Sequence, residues 1–324
     1  VEGMERTLVS AYETRVKDYQ KFAKDTGRKF DAEPETGDHP AVVAWGDARE
    51  FCHWLTKRER AAGRLRPGEC YRLPLQSEWI ATAKATFDKW PPEKIDHEKA
   101  NLPGEQDGYR HTAPVGSFPP VPTGLYDLIG NAAEWTYDRA RMQDFDYYNR
   151  KVYGASCSFG SLVSESSTHW HIKSGFRPVI ALQDDAGVNL ATEVENRIKQ
   201  LAEDNALEDF DPKYWLVHGK VHMALRSGGK EKLKNLGALK GLPIADLNLH
   251  GSGVEDLSSL EGMPLMHLVL AYNEQLSDLT PLKRMPLKSL NLYNSGKVKD
   301  LTPLGGMPME ELNLGGLHGD IDLN

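Results

Sequence analysis

The residues best suited to chemistry include oxygen donors in a loop about one third of the way along the chain. The stretch Ala-Asn-Leu-Pro-Gly-Glu-Gln-Asp-Gly-Tyr (100–109) carries the side chains of Asn101 and Asp107 in a glycine-containing loop. Ca²⁺ takes about six to eight oxygen ligands, commonly a few carboxylates or amides completed by loop carbonyls. The loop is therefore a candidate calcium site, and the alternative is that these side chains are ordinary surface turn residues.

Thiols and imidazoles are the other groups with metal-binding or redox chemistry. The three cysteines, Cys52, Cys70 and Cys157, are odd in number and far apart, which excludes a disulfide framework and a CxxC metal knuckle but leaves one bridge open. His169 and His171 alternate, so they could share one face of a strand as metal ligands do. The alternative is that both histidines line a polar strand face.

Composition limits the classes of protein to which the chain can belong. The 324 residues include 40% apolar and 27% charged residues, which is typical of a globular protein. The formal net charge is −8, from 39 Lys plus Arg against 47 Asp plus Glu, with no strongly basic segment. This balance argues against a nucleic-acid partner. The mean hydropathy is −0.53, and no apolar run approaches the roughly 20 residues of a membrane span.

Two features of the sequence bear on the cellular compartment of the protein. The first residues lack the basic and apolar regions of a secretory signal, and the cysteine usage favours the cytoplasm slightly. The chain begins without Met, so a targeting segment removed from the N-terminus stays open.

The first part of the chain is rich in aromatic residues and turns, with three short predicted helices. Apolar residues at helical spacing predict a helix over 47–55, where Asp47 would open a capping box. The same spacing predicts a helix around 16–22 and a third that starts near Gln76. These elements would position the loop that contains Asn101.

A connector is predicted over 182–228. Leu190, Val194, Ile198 and Leu201 recur as one stripe of an amphipathic helix. A second helical piece is predicted over 214–227. The connector would cap the domain that follows.

The last part of the chain, 229–324, repeats with a period of about 22 residues. Asp-Leu pairs recur at 256, 278, 300 and 322, and each unit contains an L-x-x-L-x-L line. This period and line are the signature of leucine-rich repeats, in which each unit gives one short strand to a solenoid. About four units are present.

Five blocks of the first part resemble the formylglycine-generating enzyme (sulfatase-modifying factor) family. They are HPAVVAWGDAREFCHWL (39–55), YRLPLQSEW (71–79), APVGSFPPVPTGLYDLIGNAAEW (113–135), YGAS (153–156) and GFRPV (175–179). The resemblance covers about residues 8–181 and implies a domain over 1–181. The implied fold is α+β and C-type-lectin-like, with low regular structure, followed by the helical connector and the short repeat solenoid.

The pairing of this domain with repeats is similar to multidomain proteins of planctomycete-type bacteria, where the module often follows a Ser/Thr kinase. The chain itself contains no kinase Gly-rich loop, His-Arg-Asp or Asp-Phe-Gly motif.

The resemblance implies two calcium sites as cofactor sites. The first would use the side chains of Asn101 and Asp107 with the carbonyls of Leu102 and Tyr109. The second would use the side chains of Asp127 and Glu134 with the carbonyls of Gly130 and Ala132.

The same resemblance argues against catalysis. Formylglycine formation uses two thiolates that hold Cu(I), and the family places both cysteines between the YGAS-like turn and GFR. That segment contains only Cys157 here, while Phe159 and Ser164 occupy the approximate catalytic positions. We therefore expect a pseudoenzyme without copper, in which Cys157 is a packed thiol.

Iron is not expected either. The family's sulfoxide synthases take most of their metal histidines from a helical bundle that this sequence does not contain, so His169 and His171 would not complete a site.

The predicted function is a non-catalytic scaffold in which a calcium-stabilised domain presents repeats to a protein partner. One alternative is a metal-dependent oxidase or oxygenase that uses Cys157, His169 and His171. Another is the sensory region of a larger, kinase-linked protein.

The partner surface is predicted between the inward-pointing leucines. Tyr293 and Asn291 would form its centre, unless the repeats only pack on the first domain or link it to something else. The outward positions form three columns: Asp246, His267, Ser289 and Glu311; Asn248, Val269, Asn291 and Asn313; His250, Ala271, Tyr293 and Gly315.

Overall fold

The chain forms two compact α+β units. The computed structural model describes residues 7–30, 37–86, 96–139, 150–153, 163–167, 174–208, 210, 212–217, 219–225 and 232–317. The first unit comprises residues 6–65 and 70–182, and the second comprises 1–5, 66–69 and 183–324.

In its described residues, the first unit contains three helices and two small antiparallel sheets. The sheet orders are β1-β6-β2 and β3-β4-β5. In chain order the elements are β1 (Thr7–Val9), α1 (Val16–Thr26), α2 (Trp45–Ala61), β2 (Tyr71–Arg72), α3 (Gln76–Thr86), β3 (Glu134–Arg139), β4 (Arg150–Tyr153), β5 (Val163–Ser167) and β6 (Val179–Ala181).

The three predicted helices are present, and α2 is longer than the sequence indicated. It begins at Trp45 after Ala44, which makes no side-chain cap hydrogen bond. Asp47 therefore lies inside the first turn, where it complements the helix dipole, and the predicted capping box is wrong.

Aromatic rings fill the core of the first unit. Tyr19 of α1 stacks on Phe51 of α2 with 5.7 Å between ring centroids, and Phe51 meets Phe176 edge-on at 5.4 Å. Cys52 lies in the same core, where burial raises the pKa of its thiol well above the ordinary value. This core holds α1 and α2 together and fixes the segment that contains Phe176.

Over the ranges described for it, the second unit contains one α-helix and a six-stranded sheet in the order β12-β11-β10-β9-β8-β7. Strands β8 to β12 are parallel, and β7 is antiparallel to β8. The elements are α4 (Asp185–Asp204), β7 (Lys213–Val217), β8 (Lys220–Ala224), β9 (Ile244–Asn248), β10 (His267–Val269), β11 (Ser289–Asn291) and β12 (Glu311–Asn313).

The predicted stripe of α4 packs against the sheet. Val194 and Leu201 are fully buried, and the partly buried Leu190 and Ile198 complete the stripe. Asp184 is the N-cap of the helix, since its carboxylate accepts a hydrogen bond from the backbone N–H of Gly187 at 2.8 Å.

The second helix predicted over 214–227 is wrong, because this segment contributes the hairpin of β7 and β8. Val221, Met223 and Leu225 are buried at alternate positions, which is the period of a strand. Gly219 turns the chain with a φ of 66°. The connector predicted as helical therefore contains a helix and a hairpin.

The 22-residue spacing corresponds to one parallel strand and one 3₁₀ turn. Leu247, Leu268 and Leu290 occupy equivalent strand positions and are each 1% exposed. At the turns, Asp278 and Asp300 accept the backbone N–H two residues ahead at 2.8 Å. The 3₁₀ turns are Gly237–Leu239, Ser258–Leu260, Thr280–Leu282 and Thr302–Leu304.

Within the described ranges, no helix is both long enough and apolar enough to span a bilayer.

Candidate calcium site and repeat surface

A tightly curved loop, 124–134, brings the two predicted calcium segments together. Asp127, Gly130 and Asn131 have φ values of 53°, 87° and 58°. A Cβ on Gly130 would lie 2.4 Å from the carbonyl oxygen of Asn101. The backbone N–H of Asn131 donates to that same oxygen at 2.8 Å. Only glycine permits this close approach.

Asn101 has one buried oxygen without a partner. Its Nδ2 donates to the carbonyl of His111 at 2.9 Å and to Oδ1 of Asn131 at 3.2 Å. The residue is 1% exposed, and its Oδ1 accepts no hydrogen bond from the residues that the structure describes. A buried acceptor without a partner is unfavourable, so this oxygen is suited to a cation or a water molecule.

Asp107 supplies an ionised carboxylate near Asn101 in the sequence. Its side chain is inaccessible to solvent and accepts the backbone N–H groups of Leu102 at 2.8 Å and Tyr109 at 3.0 Å. Burial alone would raise the pKa of Asp107, but these hydrogen bonds and the nearby His97 outweigh burial and lower it. The first predicted site thus combines a charged carboxylate with an amide oxygen that lacks a partner.

The second predicted site already contains a cation. Oε1 of Glu134 accepts from Arg177, with Nε at 2.7 Å and Nη2 at 2.6 Å, and Oε2 accepts from Nε1 of Trp79 at 2.9 Å. Arg177 also donates to the carbonyls of Ser10, Ala11 and Tyr126. Glu134 is therefore neutralised by a guanidinium, and it fits a calcium ion less well than Asp107 does.

Asp127, the other carboxylate predicted for this second site, is also buried. Its Oδ2 accepts the backbone N–H of Gly116 at 2.7 Å. Burial raises the pKa of Asp127, although that hydrogen bond and the charge of Arg177 act in the opposite direction.

Glu13 is a further buried carboxylate that the sequence did not reveal. Its Oε2 accepts from Nδ2 of Asn131 at 2.7 Å and its Oε1 accepts the N–H of Ala132 at 3.1 Å. Burial, together with the charges of Asp127 and Glu134, raises the pKa of Glu13 well above 4.5. It reaches the loop from a segment 118 residues away, and no local pattern marks it.

The buried polar cluster contains more carboxyl groups than guanidinium groups. Glu13, Asp127 and Glu134 contribute three carboxylates against the single guanidinium of Arg177. Among the residues that the structure describes, no group of three or more His, Cys, Asp or Glu side chains could hold a metal ion by itself. A cation in this region would therefore depend on amide and carbonyl oxygens as well.

Most of the groups predicted for redox chemistry belong to segments other than this loop. Cys157, Phe159, His169 and His171 lie outside the described residues, and Ser164 belongs to β5. The other two cysteines, Cys52 and Cys70, are buried.

The predicted columns of the repeat surface are adjacent in register. Asp246 pairs with His267, His267 with Ser289, and Ser289 with Glu311. The second column pairs in the same way, with Asn248, Val269, Asn291 and Asn313 on successive strands.

The expectation that Asn291 is exposed is wrong. It is 6% exposed, and its Oδ1 accepts the backbone N–H of Tyr293 at 2.9 Å. Asn248 and Asn313 make the same bond to the residue two positions ahead. This column stabilises the turns that follow the strands, which leaves little of Asn291 for a partner.

The first column continues into the hairpin. Oδ2 of Asp246 lies 2.7 Å from Nδ1 of His222, and the ring of His222 stacks on Trp215 with 6.1 Å between centroids. The second carboxylate oxygen lies 3.9 Å from Nε2 of His267. The sequence missed His222 and Trp215 because their segment was predicted to be helical.

Comparison with known proteins gives a family match over more than half of the chain. A family model described as "Sulfatase-modifying factor enzyme 1-like domain" matches residues 5–193.

Three curated relatives show the same likeness. Formylglycine-generating enzyme of Bos taurus is 35% identical over 117 residues, which are 31% of this chain and 27% of that protein. Inactive C-alpha-formylglycine-generating enzyme 2 of Bos taurus is 33% identical over 132 residues, 37% of this chain and 38% of that protein. Serine/threonine-protein kinase pkn1 of Chlamydia caviae is 33% identical over 124 residues, 37% of this chain and 16% of that protein. The chain therefore spans well under half of each relative.

Proposed function

The chain belongs to the family of sulfatase-modifying factor enzyme 1-like domains, and we propose that it is a non-catalytic binding protein. In this proposal calcium stabilises the family domain. The second unit is a leucine-rich-repeat array that presents a surface to a protein partner.

The observation that carries the calcium part is the buried Oδ1 of Asn101, which has no hydrogen-bond partner in the described part of the chain. A calcium ion would use this oxygen together with the carboxylate of Asp107 and the carbonyls of Leu102 and Tyr109. The lowered pKa of Asp107 keeps that carboxylate charged at neutral pH, as a calcium ligand must be.

The proposed second ion would use the side chains of Asp127 and Glu134 and the carbonyls of Gly130 and Ala132. The excess of buried carboxylates over guanidinium groups supports a cation in this region. The ion pair of Glu134 with Arg177 makes this site the weaker of the two.

The absence of catalysis is inferred from sequence chemistry. A Cu(I) site of the family's type needs two thiolates, and the segment between residues 154 and 175 offers only Cys157. One relative of the chain is itself named as an inactive formylglycine-generating enzyme.

We propose the repeat array because the sequence has a 22-residue period and one parallel strand recurs with that period. Each unit buries its leucines against the next, which is the packing principle of a solenoid. Such arrays present their outward side chains to partners, so we propose a protein partner on this surface.

A second candidate is the sensory region of a kinase-linked protein. It is favoured by the likeness to serine/threonine-protein kinase pkn1 of Chlamydia caviae. The calcium-stabilised domain would then act within a longer chain.

Calcium binding can be tested by thermal melting with one variant and one matched control. Asp107→Asn keeps the shape of the side chain but removes the charge that a calcium ion requires. Asp278→Asn changes an aspartate with the same kind of turn hydrogen bond, to Thr280 at 2.8 Å, in the second unit.

The two variants should distinguish an aspartate that binds calcium from an aspartate that only accepts a hydrogen bond in a turn. Calcium at 100 times its dissociation constant should stabilise the wild type by about 2.7 kcal/mol. We expect this stabilisation to survive in Asp278→Asn and to lose the contribution of the first site in Asp107→Asn. A wild-type melting temperature that is the same in calcium and in chelator would refute the calcium part.

A further inference from the structure

Four residues with left-handed backbone geometry form a column where the repeat strands end. Gly251, Tyr272, Asn294 and Gly316 have φ values of 60°, 59°, 54° and 72°. They are held in register by backbone hydrogen bonds, such as Tyr272 N–H to the carbonyl of Tyr293 at 2.8 Å. Each repeat therefore requires the left-handed conformation at this point.

Tyr272 is the exception in this column. Glycine adopts a positive φ without steric cost and asparagine tolerates it, whereas a bulky side chain rarely does. Residues held in such strained conformations cluster at ligand-binding sites. A tyrosine at a position that its neighbours fill with Gly or Asn points to a role for the ring.

That role is not core packing. Tyr272 is 46% exposed and Tyr293 is 36% exposed, both among the few large hydrophobic side chains that are exposed in the described part of the chain. The ring of Tyr272 lies between His250 at 4.9 Å and Tyr293 at 5.4 Å, measured between centroids. The three rings, which we call the aromatic strip, cross three successive repeats.

In the fourth repeat, a glycine occupies the position equivalent to Tyr293. A Cβ on Gly315 would lie 2.9 Å from the ring of Tyr293. The glycine thus leaves room for the ring to lie close against the backbone of the next repeat. An elongated ligand could extend along the strip without meeting a side chain at Gly315.

The formal charges of the outward columns indicate the class of ligand. In the three outward columns and the left-handed column, all of which the structure describes, the residues with formal charges at neutral pH are Asp246 and Glu311. Both are acidic. Tyrosine faces attract cations through their quadrupole, most often the guanidinium of Arg.

We propose that the aromatic strip of His250, Tyr272 and Tyr293 binds a basic peptide segment whose arginine or lysine side chains pack on the two tyrosines. This inference rests on the proposed function of the repeats as a binding surface and specifies the chemistry of the partner.

The test measures binding of a short fluorescein-labelled Arg-Gly repeat peptide to the full chain by fluorescence anisotropy. A second peptide carries citrulline in place of arginine, which keeps the shape and removes the charge. We expect the arginine peptide to bind at least about tenfold more tightly than the citrulline peptide.

Tyr272→Asn is the decisive variant, because Asn294 already occupies the equivalent position one repeat later. It should weaken binding of the arginine peptide about tenfold or more, while the free energy of unfolding stays the same or rises as strain is relieved. Tyr293→Phe keeps the ring and should retain the binding.

Three results would overturn the inference. The first is that the arginine peptide does not bind the wild type, and the second is that the citrulline peptide binds the wild type as tightly as the arginine peptide. The third is that Tyr272→Asn either binds the arginine peptide as tightly as the wild type does or has a markedly lower free energy of unfolding. The proposed function is tested by other measurements, calcium-dependent melting and aldehyde formation. A failure of the proposed function can therefore be distinguished from a failure of this inference.

Discussion

Glu13 and Glu78 are both buried in the first unit, and their surroundings shift their pKa values in opposite directions. Glu13 lies near two other carboxylates, and burial is the largest cause of its raised pKa. Burial also acts to raise the pKa of Glu78, but its paired contacts with Arg72, both at 2.7 Å, lower it overall.

These shifts have opposite consequences for stability. Above pH 4.5 the folded state holds the Glu13 proton more tightly than the unfolded state, so its contribution to stability falls as the pH rises through the folded pKa. The lowered pKa of Glu78 gives a contribution that is present above 4.5 and lost as the pH falls through the folded pKa.

We therefore predict opposite pH profiles for Glu13→Gln and Glu78→Gln. Relative to the wild type, the free energy of unfolding of Glu13→Gln should increase as the pH rises above about 4.5, and that of Glu78→Gln should decrease as the pH rises towards about 4.5 from below, each by at most about 1.4 kcal/mol per pH unit. Denaturant unfolding at one fixed calcium concentration measures both. Profiles of the same sign would contradict the assigned pKa shifts.

At the scale of elements, the loop over 124–134 depends on its glycines for different reasons. Gly124 has a φ of 82° and no atom within 4 Å of an added Cβ. Gly130 has a φ of 87° and would bring its Cβ to 2.4 Å from the carbonyl oxygen of Asn101. Backbone strain applies to both positions, and the steric clash applies to Gly130 alone.

Gly124→Ala should cost about 1 kcal/mol of unfolding free energy, whereas Gly130→Ala should cost about 3 kcal/mol or more. If the loop joins the predicted calcium segments as described, Gly130→Ala should also reduce the stabilisation by calcium. Equal costs for the two variants would show that the close approach of Gly130 to Asn101 is unimportant.

Two leucines at equivalent strand positions of neighbouring repeats differ in burial. Leu290 of β11 is 1% exposed, and Leu312 occupies the same position of β12 but is 40% exposed. Leu290→Ala should reduce the free energy of unfolding by about 2–5 kcal/mol, and Leu312→Ala by about 1 kcal/mol or less. Denaturant unfolding would contradict the packing described here if both substitutions cost the same.

Elements with strong periodicity could be predicted from the sequence, and those specified by distant contacts could not. The stripe of Val194 and Leu201 indicated α4, and the 22-residue period indicated the position of each repeat strand. The hairpin of β7 and β8 was missed because a short apolar run of this kind fits helix and strand patterns alike.

The candidate site was predictable only in part, for the same physical reason. Asn101 and Asp107 lie six residues apart in one loop, so local composition marks them. Glu13 and Arg177 join the buried cluster through contacts across more than 100 residues, such as Glu13 with Asn131, and no local pattern encodes them. Burial of Asn291 was missed because its turn hydrogen bond depends on the backbone of residues beyond the strand.

At the scale of the whole molecule, the chain combines a family domain with a second unit of parallel repeats. The buried charges of the first unit, including Glu134 and Arg177, join distant segments of its chain. The exposed tyrosines belong to the second unit. In the proposed function the first unit is a stable body, and recognition takes place on the second.

The most direct test of this account is mass spectrometry of a sulfatase-type cysteine peptide incubated with the full chain, with and without copper. We predict that no formylglycine aldehyde forms under either condition, because a single thiol, Cys157, cannot supply the pair that Cu(I) requires. An aldehyde product that disappears in Cys157→Ser would contradict the account and show that the chain is an enzyme.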